Sequence, residues 1–265
     1  MASRVDVDAL LLDIDGVLVT SWRALPGAAE AIETFRRLGV PFLLITNTTT
    51  HTRAGLATTL REAGFDLETH EIVTAVSATA AYLRANHHGA PVFVLSDGDP
   101  RADLTDVRLV DVEEADVVVL GGGYDGFSYD TMNRVFRRLS DGAAFVAMHR
   151  NLYWRTDGGL QLDGGAFVAA LEAASGVTPV VCGKPSGAYF EAALEMLHVA
   201  PARAAMVGDD VVNDVVGAQR AGLTGVLVRT GKFQPGDEAR GSPDLVPDLV
   251  VESVADVPAA LGIGR

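Results

Sequence analysis

The sequence predicts an α/β protein whose core is a Rossmann-like, doubly wound parallel sheet covered by helices. Three observations predict it: short apolar runs recur, helical patterns alternate with them, and polar residues or glycines follow where many runs end. Parallel strands buried on both faces give continuous apolar runs. Alternation of strand and helix favours a parallel sheet that binds ligands outside the carboxyl ends of its strands.

Four apolar runs are predicted strands, and each ends abruptly. They cover Ala9–Ile14, Pro41–Ile45, Val117–Leu120 and Ala204–Val207. Two intervening stretches have apolar residues at helical spacing, and these residues are Ala28, Ile32, Phe35 and Leu38 in one and Met132, Val135, Phe136 and Leu139 in the other. Gly39 follows the first stretch, where a left-handed residue that ends a helix is favoured.

A second α/β domain is predicted in the middle of the chain. Residues from about 80 to 180 are richer in aromatic residues and glycine turns than the flanking segments. A chain of 265 residues is long enough for one core with a large insertion. We therefore interpret residues 1–79 and 181–265 as the core and 80–180 as an inserted cap domain.

Composition excludes several classes of partner. The net charge of -14 opposes binding to nucleic acid, and no apolar run approaches the roughly 20 residues that cross a membrane. The N-terminal segment lacks the order of regions that is typical of a secretory signal, and the single cysteine, Cys182, excludes an internal disulfide. We expect a soluble, cytoplasmic protein.

Lysine is rare in this chain. Of its 21 basic residues only Lys184 and Lys232 are lysines. Genome composition or adaptation to salt explains most of the arginines. Lys184 stands out because it lies in a Gly-Lys-Pro turn.

Two acidic residues follow the first predicted strand. Asp13 and Asp15 are two positions apart, so in an extended chain both carboxylates face the same way. Like charges held together raise one pKa unless a cation or hydrogen bonds offset the repulsion. Mg²⁺ suits a site of hard oxygen ligands and would offset it. A strand that ends in a solvated acidic turn explains this motif equally well when it is taken alone.

Polar groups that suit phosphate lie in two other motifs of the chain. Thr46 and Asn47 offer a hydroxyl and an amide, and Lys184 precedes a helical stretch at Tyr189–Leu197. The N-terminus of a helix is a favourable place for an anion. Each of these features alone is also typical of an ordinary turn or a surface lysine.

Three further acids, Asp209, Asp210 and Asp214, follow the last apolar run. An acidic turn or a helix cap is the alternative for them. The joint order of the four motifs is far less probable by chance than any one of them. From Asp13 to Asp214 it resembles the haloacid dehalogenase superfamily.

Three segments resemble one branch of that superfamily, the phosphatases with a large type-IIA cap. They are Gly-Lys-Pro-Ser at 183–186, Phe-Ser-Tyr before a helix at 127–129, and Val-Arg-Thr-Gly-Lys at 228–232. The branch includes p-nitrophenyl phosphatase-like and phospholysine phosphohistidine inorganic pyrophosphate phosphatase-like proteins. The resemblance implies a hydrolase that acts on a small phosphorylated metabolite, through P–O or P–N cleavage, with a homodimer left open.

The resemblance also assigns roles to individual residues. Asp13 would be the nucleophile that forms an aspartyl-phosphate, and Asp15 would be the general acid and base. The implied Mg²⁺ ligands are the carboxylate of Asp13, the backbone carbonyl of Asp15, and Asp209. Behind these ligands stand Asp210 and Asp214. The implied phosphate-binding groups are Thr46, the backbone at Asn47, and Lys184.

The predicted cap departs from its relatives in one motif. Residues 148–151 are Met-His-Arg-Asn, where p-nitrophenyl phosphatase-like relatives often carry Thr-Asn-x-Asp. We predict that Arg150 and Trp154 contribute to substrate specificity, with packing inside the cap as the alternative.

Two other functions remain open. A phosphomutase would transfer the phosphoryl group between positions of a sugar, but such relatives usually carry a helical cap between the first two motifs, and only about 30 residues separate Asp15 from Thr46. A phosphoacceptor signalling module gathers similar residues. Such a module is about half this length and lacks an acid two residues after its acceptor.

Overall fold

The computed structural model describes residues 7–98, 100–123, 125–156, 159–239 and 246–263, except for the side chains of residues 154–156, 160 and 238. The chain divides into two compact units. The first unit comprises Met1–Thr46, Arg53–Val73 and Lys184–Arg265. The second unit comprises Asn47–Thr52 and Thr74–Gly183.

Strands and helices alternate along the described residues. The strands are β1 (Ala9–Leu12), β2 (Val19–Thr20), β3 (Arg23–Ala24), β4 (Phe42–Thr46), β5 (Ile72–Thr74), β6 (Pro91–Leu95), β7 (Arg108–Leu109), β8 (Val117–Leu120), β9 (Ala144–Ala147), β10 (Tyr153–Thr156), β11 (Gly159–Leu162), β12 (Val180–Val181), β13 (Ala204–Gly208), β14 (Thr224–Val228) and β15 (Leu249–Val251). The α-helices are α1 (Ala28–Arg37), α2 (Arg53–Glu62), α3 (Ala75–Asn86), α4 (Tyr129–Ser140), α5 (Gly164–Ser175), α6 (Gly187–Leu197), α7 (Gly217–Arg220) and α8 (Val257–Ala260). A π-helix at Val211–Val216 leads directly into α7.

A six-stranded sheet forms the centre of the first unit, in the order β15-β14-β13-β1-β4-β5. Parallel pairs join each neighbour from β15 to β4. The chain places β4 and β5 on one side of β1 and β13 to β15 on the other. In such a sheet the ligand site lies beyond the carboxyl ends of the strands where the order reverses, which here is between β1 and β13. The predicted fold class is confirmed.

Burial explains the apolar runs of the central strands. Every residue of β1, β4 and β13 is buried, as expected when helices cover both faces of a sheet. Helix α1 buries Ala28, Ile32 and Phe35 against this core. Leu38, the last residue of the predicted helical stretch, follows the last residue of α1 and is 37% exposed, so the helix ends before it. Gly39 adopts the expected left-handed conformation, with φ 68°.

The second unit has its own five-stranded parallel sheet, in the order β12-β9-β8-β6-β7, and a separate hairpin of β10 and β11. Helix α4 buries Val135 and Leu139, with Met132 and Phe136 partly buried beside them. The second unit is therefore an α/β insertion in the chain of the first. Among the described residues no helix combines the length and the apolar character needed to cross a bilayer.

Candidate active site

Three buried carboxylates converge beyond the carboxyl ends of β1 and β13. Asp13 follows β1, Asp209 follows β13, and Asp214 lies in the π-helix after it. One oxygen from each carboxylate lies within 4.8 Å of the other two, and the residues are only 7%, 2% and 1% exposed. Desolvated like charges are costly unless cations or hydrogen bonds compensate them. The site therefore requires positive charge.

Lys184 supplies part of that charge. Its Nζ lies 2.7 Å from Asp13 Oδ1 and 2.7 Å from Asp214 Oδ1, and the side chain is buried. Burial alone would lower the pKa of Lys184, but the two carboxylates raise it above its ordinary value. The ammonium is therefore charged and couples the first acidic motif to the last.

Asp214 uses both of its oxygens within the first unit. Oδ1 pairs with Lys184, and Oδ2 accepts a hydrogen bond from the backbone N–H of Asp210 at 3.1 Å. Burial raises the pKa of Asp214 to about 7; the positive Lys184 opposes that shift and the negative Asp13 adds to it. Asp214 is thus held in place by the protein itself.

Asp209 differs from Asp214 in the state of its two oxygens. Oδ2 accepts a hydrogen bond from the backbone N–H of Lys232 at 2.6 Å. Oδ1 is buried and has neither a hydrogen bond nor an ion pair with the described residues, whereas Asp214 Oδ1 has its ion pair with Lys184. Burial and the charge of Asp13 raise the pKa of Asp209 well above its ordinary value, against the opposing charge of Lys232. A buried carboxylate oxygen that lacks a donor fits a bound cation, and an all-carboxylate set suits Mg²⁺.

Asp15 lies at the start of a tight turn. Its backbone bridges to Val19, and the N–H of Gly16 donates to the carbonyl of Val19 at 2.7 Å. The residue is exposed, yet partial desolvation of its carboxylate and the negative charge of Asp13 raise its pKa. A raised pKa suits a carboxyl group that must both give and take a proton.

Asp210 has the structural role that was the alternative for the last acidic motif, a helix cap. Its Oδ1 accepts hydrogen bonds from the backbone N–H groups of Val212 and Asn213 at 3.1 and 3.0 Å, so it caps the π-helix. Desolvation works against its charge, but Lys232 and the bonds from Asn213 lower the pKa of Asp210.

Lys232 is a site residue that the motif analysis missed. Its side chain is half exposed, with Nζ 3.8 Å from Asp210 Oδ2. Burial would lower the pKa of Lys232, but the surrounding carboxylates, led by those of Asp209 and Asp210, raise it. Composition was the signal that could have identified Lys232, because the two lysines of this chain both lie at the acidic centre.

The second predicted motif, Thr46-Asn47, lies where the chain passes from the first unit to the second. Thr46 is the buried last residue of β4, and its carbonyl accepts a hydrogen bond from Tyr189 Oη at 3.1 Å. Asn47 belongs to the second unit, where its Nδ2 lies 3.5 Å from Asn151 Oδ1. The phosphate-binding roles of Thr46 and Asn47 remain predictions.

The predicted specificity residues belong to the second unit. Arg150 is exposed and forms an ion pair with Glu172 of α5. Its neighbour His149 is buried, with Nε2 3.8 Å from Asp163 Oδ1. Trp154 lies in β10, and its side chain is outside the described part of the chain.

Comparison with known proteins identifies the family. The family model described as haloacid dehalogenase-like hydrolase matches residues 10–109, and the model described as HAD-hydrolase-like matches residues 181–257. The chain is 38% identical over 253 residues to haloacid dehalogenase-like hydrolase domain-containing protein 2 of Rattus norvegicus, across 96% of this chain and 95% of the relative. The chain belongs to the haloacid dehalogenase-like hydrolase family.

Within the haloacid dehalogenase-like hydrolases, the similar proteins include several phosphatases. The chain is 34% identical to phospholysine phosphohistidine inorganic pyrophosphate phosphatase of Rattus norvegicus, across 94% of this chain and 92% of the relative. The structure of 4-nitrophenylphosphatase from Thermotoga maritima matches with a TM-score of 0.89 at 27% identity, covering 97% and 98% of the two chains. Glycerol phosphate phosphatase from Mycobacterium tuberculosis, solved in complex with magnesium, matches with a TM-score of 0.85 at 27% identity, covering 97% of this chain and 76% of the other. The chain is a hydrolase of this phosphatase branch, and the resemblance drawn from its motifs is confirmed.

Proposed function

We propose that this hydrolase is a magnesium-dependent phosphatase that acts on a small phosphorylated metabolite through an aspartyl-phosphate on Asp13. The observation that carries the proposal is the convergence of three buried carboxylates, those of Asp13, Asp209 and Asp214. Lys184 pairs with Asp13 and Asp214, and Asp209 Oδ1 has no hydrogen-bond partner in the part of the chain that the structure describes. The names of the similar phosphatases, and the magnesium in the Mycobacterium tuberculosis structure, support it.

The carboxylates of Asp13 and Asp209 and the backbone carbonyl of Asp15 would hold the cation. Asp214 would act behind them, because Lys184 and the N–H of Asp210 already engage its two oxygens. Bound Mg²⁺ would supply positive charge that offsets the repulsion among the acids and stabilises the oxygens of the transferring phosphoryl group. Residues that lie behind the metal ligands, as Asp214 would, orient the ligands that contact the metal.

Hydrolysis would proceed in two steps. In the first, a carboxylate oxygen of Asp13 attacks phosphorus, and the bond to the leaving oxygen or nitrogen breaks while Asp15 protonates that atom. In the second, Asp15 removes a proton from water, which attacks phosphorus and releases inorganic phosphate and the Asp13 carboxylate. The raised pKa of Asp15 supports this exchange of roles.

Fixed donors would hold the phosphoryl oxygens through both steps. Lys184 places a buried ammonium beside Asp13, and Thr46 ends the strand next to β1. We assign these two residues and the backbone of Asn47 to phosphate binding. Donors that are already oriented stabilise charge as it develops, without reorganisation at the moment of reaction.

We assign residues 80–180, within the second unit, to a cap that selects the substrate. Arg150 and Trp154 are the proposed specificity residues. The ion pair between Arg150 and Glu172 restricts where the guanidinium can lie, which supports a role in selecting substrates by shape and charge. The net charge of -14 supports a small substrate rather than a nucleic acid.

A substrate panel tests the function. Phosphate esters, phosphoamidates and pyrophosphate are assayed with the wild-type chain and with Asp13→Asn, in the presence of Mg²⁺ or of a chelator. We expect Mg²⁺-dependent release of phosphate by the wild type and none by Asp13→Asn, because an amide cannot act as the nucleophile. Asp106→Asn is the matched control, since its carboxylate is largely exposed and lies in the second unit. Substantial Mg²⁺-dependent turnover by pure Asp13→Asn would falsify the mechanism.

A further inference from the structure

The loop that follows β14 packs against the first acidic motif. Thr230 Oγ1 donates a hydrogen bond to the carbonyl of Gly16 at 2.5 Å. Gly16 and Gly231 both have left-handed backbones, with φ 84° and 64°. A Cβ at Gly231 would lie 2.5 Å from Gly16 Cα, and a Cβ at either glycine would overlap the carboxylate of Asp209. Two glycines from separate loops therefore enclose one carboxylate.

The same loop distinguishes the two oxygens of Asp209. The backbone N–H of Lys232 donates to Oδ2 at 2.6 Å, and the enclosing glycines also lie against Oδ2. Oδ1 is left buried, with no hydrogen-bond partner within the described part of the chain. The terminal torsion of an aspartate is broad, so without such a contact the carboxylate could turn. The loop thus holds Oδ2 and leaves Oδ1 for another ligand.

We infer that the turn Thr230-Gly231-Lys232 is a positioning element of the metal site, because it holds Asp209 Oδ2 and thereby presents Oδ1 to the divalent cation. This inference rests on the proposed magnesium site. Each residue contributes one feature: the Thr230 hydroxyl fixes the turn to Gly16, the absent side chain of Gly231 admits the carboxylate, and the backbone N–H of Lys232 donates to Oδ2. The Lys232 ammonium has no part in this positioning.

Calorimetric titration of Mg²⁺ into the substrate-free protein tests the inference. Gly231→Ala places a methyl group on the Asp209 carboxylate, and we expect it to weaken Mg²⁺ affinity by about 10- to 100-fold, the usual loss when a partner of a metal ligand is disturbed. Gly39→Ala is the matched control, because Gly39 has φ 68° and open space around its Cβ position. It carries the same backbone cost and should bind Mg²⁺ like the wild type.

A second variant tests how the turn is anchored. Thr230→Val keeps the volume and removes the hydrogen bond to Gly16, so affinity should fall. Thr230→Val also tests the inference if Gly231→Ala does not fold.

Each outcome has a definite meaning. Weak binding by Gly231→Ala or Thr230→Val, with normal binding by Gly39→Ala, supports the positioning role. The inference is overturned if Gly231→Ala binds Mg²⁺ as tightly as the wild type, or if a folded Thr230→Val does so when Gly231→Ala is not folded. If the wild type itself does not bind Mg²⁺, both the proposed function and the positioning role fail. In the outcomes above the wild type binds Mg²⁺, so failure of the positioning role alone can be recognised.

Discussion

Single side chains set the charge balance at the carboxyl end of the first sheet. Asp13, Asp209 and Asp214 share a small buried volume, and Lys184 bonds to two of them. Burial raises the pKa of Asp209 and of Asp214, so ionising these groups costs more in the folded chain than in the unfolded chain. A divalent cation would remove that cost, which links metal binding, pH and stability.

That linkage predicts the effect of pH on stability. A carboxyl group whose pKa is raised on folding binds more protons in the folded state, so its contribution to stability falls as pH rises from its unfolded pKa towards its folded pKa. For Asp214 the window runs from 3.8 to about 7. Without Mg²⁺ we expect the thermal midpoint to fall across this window because of the buried acids.

Mg²⁺ binds the ionised carboxylates and should reverse this fall. The difference in thermal midpoint with and without Mg²⁺ should therefore grow as pH rises through the same window. Asp209→Asn, which removes a proposed ligand, should shrink the difference at every pH. A difference that stays constant across the window would contradict the linkage.

Asp15→Asn separates the two chemical steps. An amide cannot exchange a proton, and general acid–base help is typically worth about 100- to 10,000-fold. We expect hydrolysis of an alkyl phosphate to slow by that factor, while a substrate with a good leaving group still forms the phosphoenzyme, which then accumulates. Rapid-quench trapping of the phosphoenzyme, formed from a labelled phosphate ester, measures this accumulation. Unchanged turnover of the alkyl ester would remove Asp15 from this role.

Secondary-structure elements place these side chains in specific ways. The π-helix at Val211–Val216 follows β13 at once, and its Asp214 packs so closely on the preceding strand that a Cβ at Gly208 would overlap the Asp214 side chain. Single π-turns are rare and are found frequently at functional sites. The Gly-Asp-Asp segment therefore needs glycine at Gly208 because of close packing, since its φ is not left-handed.

The hairpin of β2 and β3, just after the first motif, has an unfavourable turn. Its two turn residues, Ser21 and Trp22, both have left-handed backbones, with φ 48° and 61°. Two-residue hairpin turns of this kind favour Asn and Gly. We expect Ser21→Asn to stabilise the protein by about 0.5–1 kcal/mol, since the left-handed conformation costs an ordinary residue roughly 1–2 kcal/mol.

Denaturant unfolding of the wild type and Ser21→Asn measures this change. Thr20→Asn is the control, because Thr20 lies in β2, where asparagine is disfavoured. We expect the Thr20→Asn variant to be less stable than the wild type. A Ser21→Asn variant no more stable than the wild type would show that the turn is not strained at this residue.

The molecule as a whole combines two α/β units in one chain, and we assign selectivity to the second unit. Residues that contact non-reacting parts of a substrate change the ranking of substrates, because that binding energy is used at the transition state. We therefore expect Arg150→Ala or Trp154→Ala to lower the ratio of kcat/KM for a bulky ester to that for a small activated ester. The Mg²⁺ requirement should not change.

Glu172→Gln is the matched control for Arg150→Ala. It weakens the ion pair of Arg150 but leaves the guanidinium in place. Selectivity that falls strongly in Arg150→Ala and less in Glu172→Gln indicates substrate contact by the guanidinium. If both variants lose activity equally on both esters and their thermal midpoints drop, Arg150 has a structural role and the proposed contact is wrong.

Much of the fold and the chemical residues of the core could be predicted from local pattern. Continuous apolar runs predicted β1, β4, β8 and β13 within one or two residues at each end, because strands covered on both faces show no alternation. Leu38 was included in the predicted helix although α1 ends at Arg37, because periodicity does not show where a helix ends.

The sequence by itself determined the α/β class, the family and the acids that could carry the chemistry, since each depends on residue type and order along the chain. Only the tertiary structure decided how those acids are used. It showed that Asp210 caps the π-helix, that Lys184 bonds to Asp13 and Asp214, and that the backbone of Lys232 engages one oxygen of Asp209. These pairings join residues that are far apart in the chain: Asp13 and Lys184 are separated by 171 positions. The register of the sheet brings them together, and local sequence carries no information about that register.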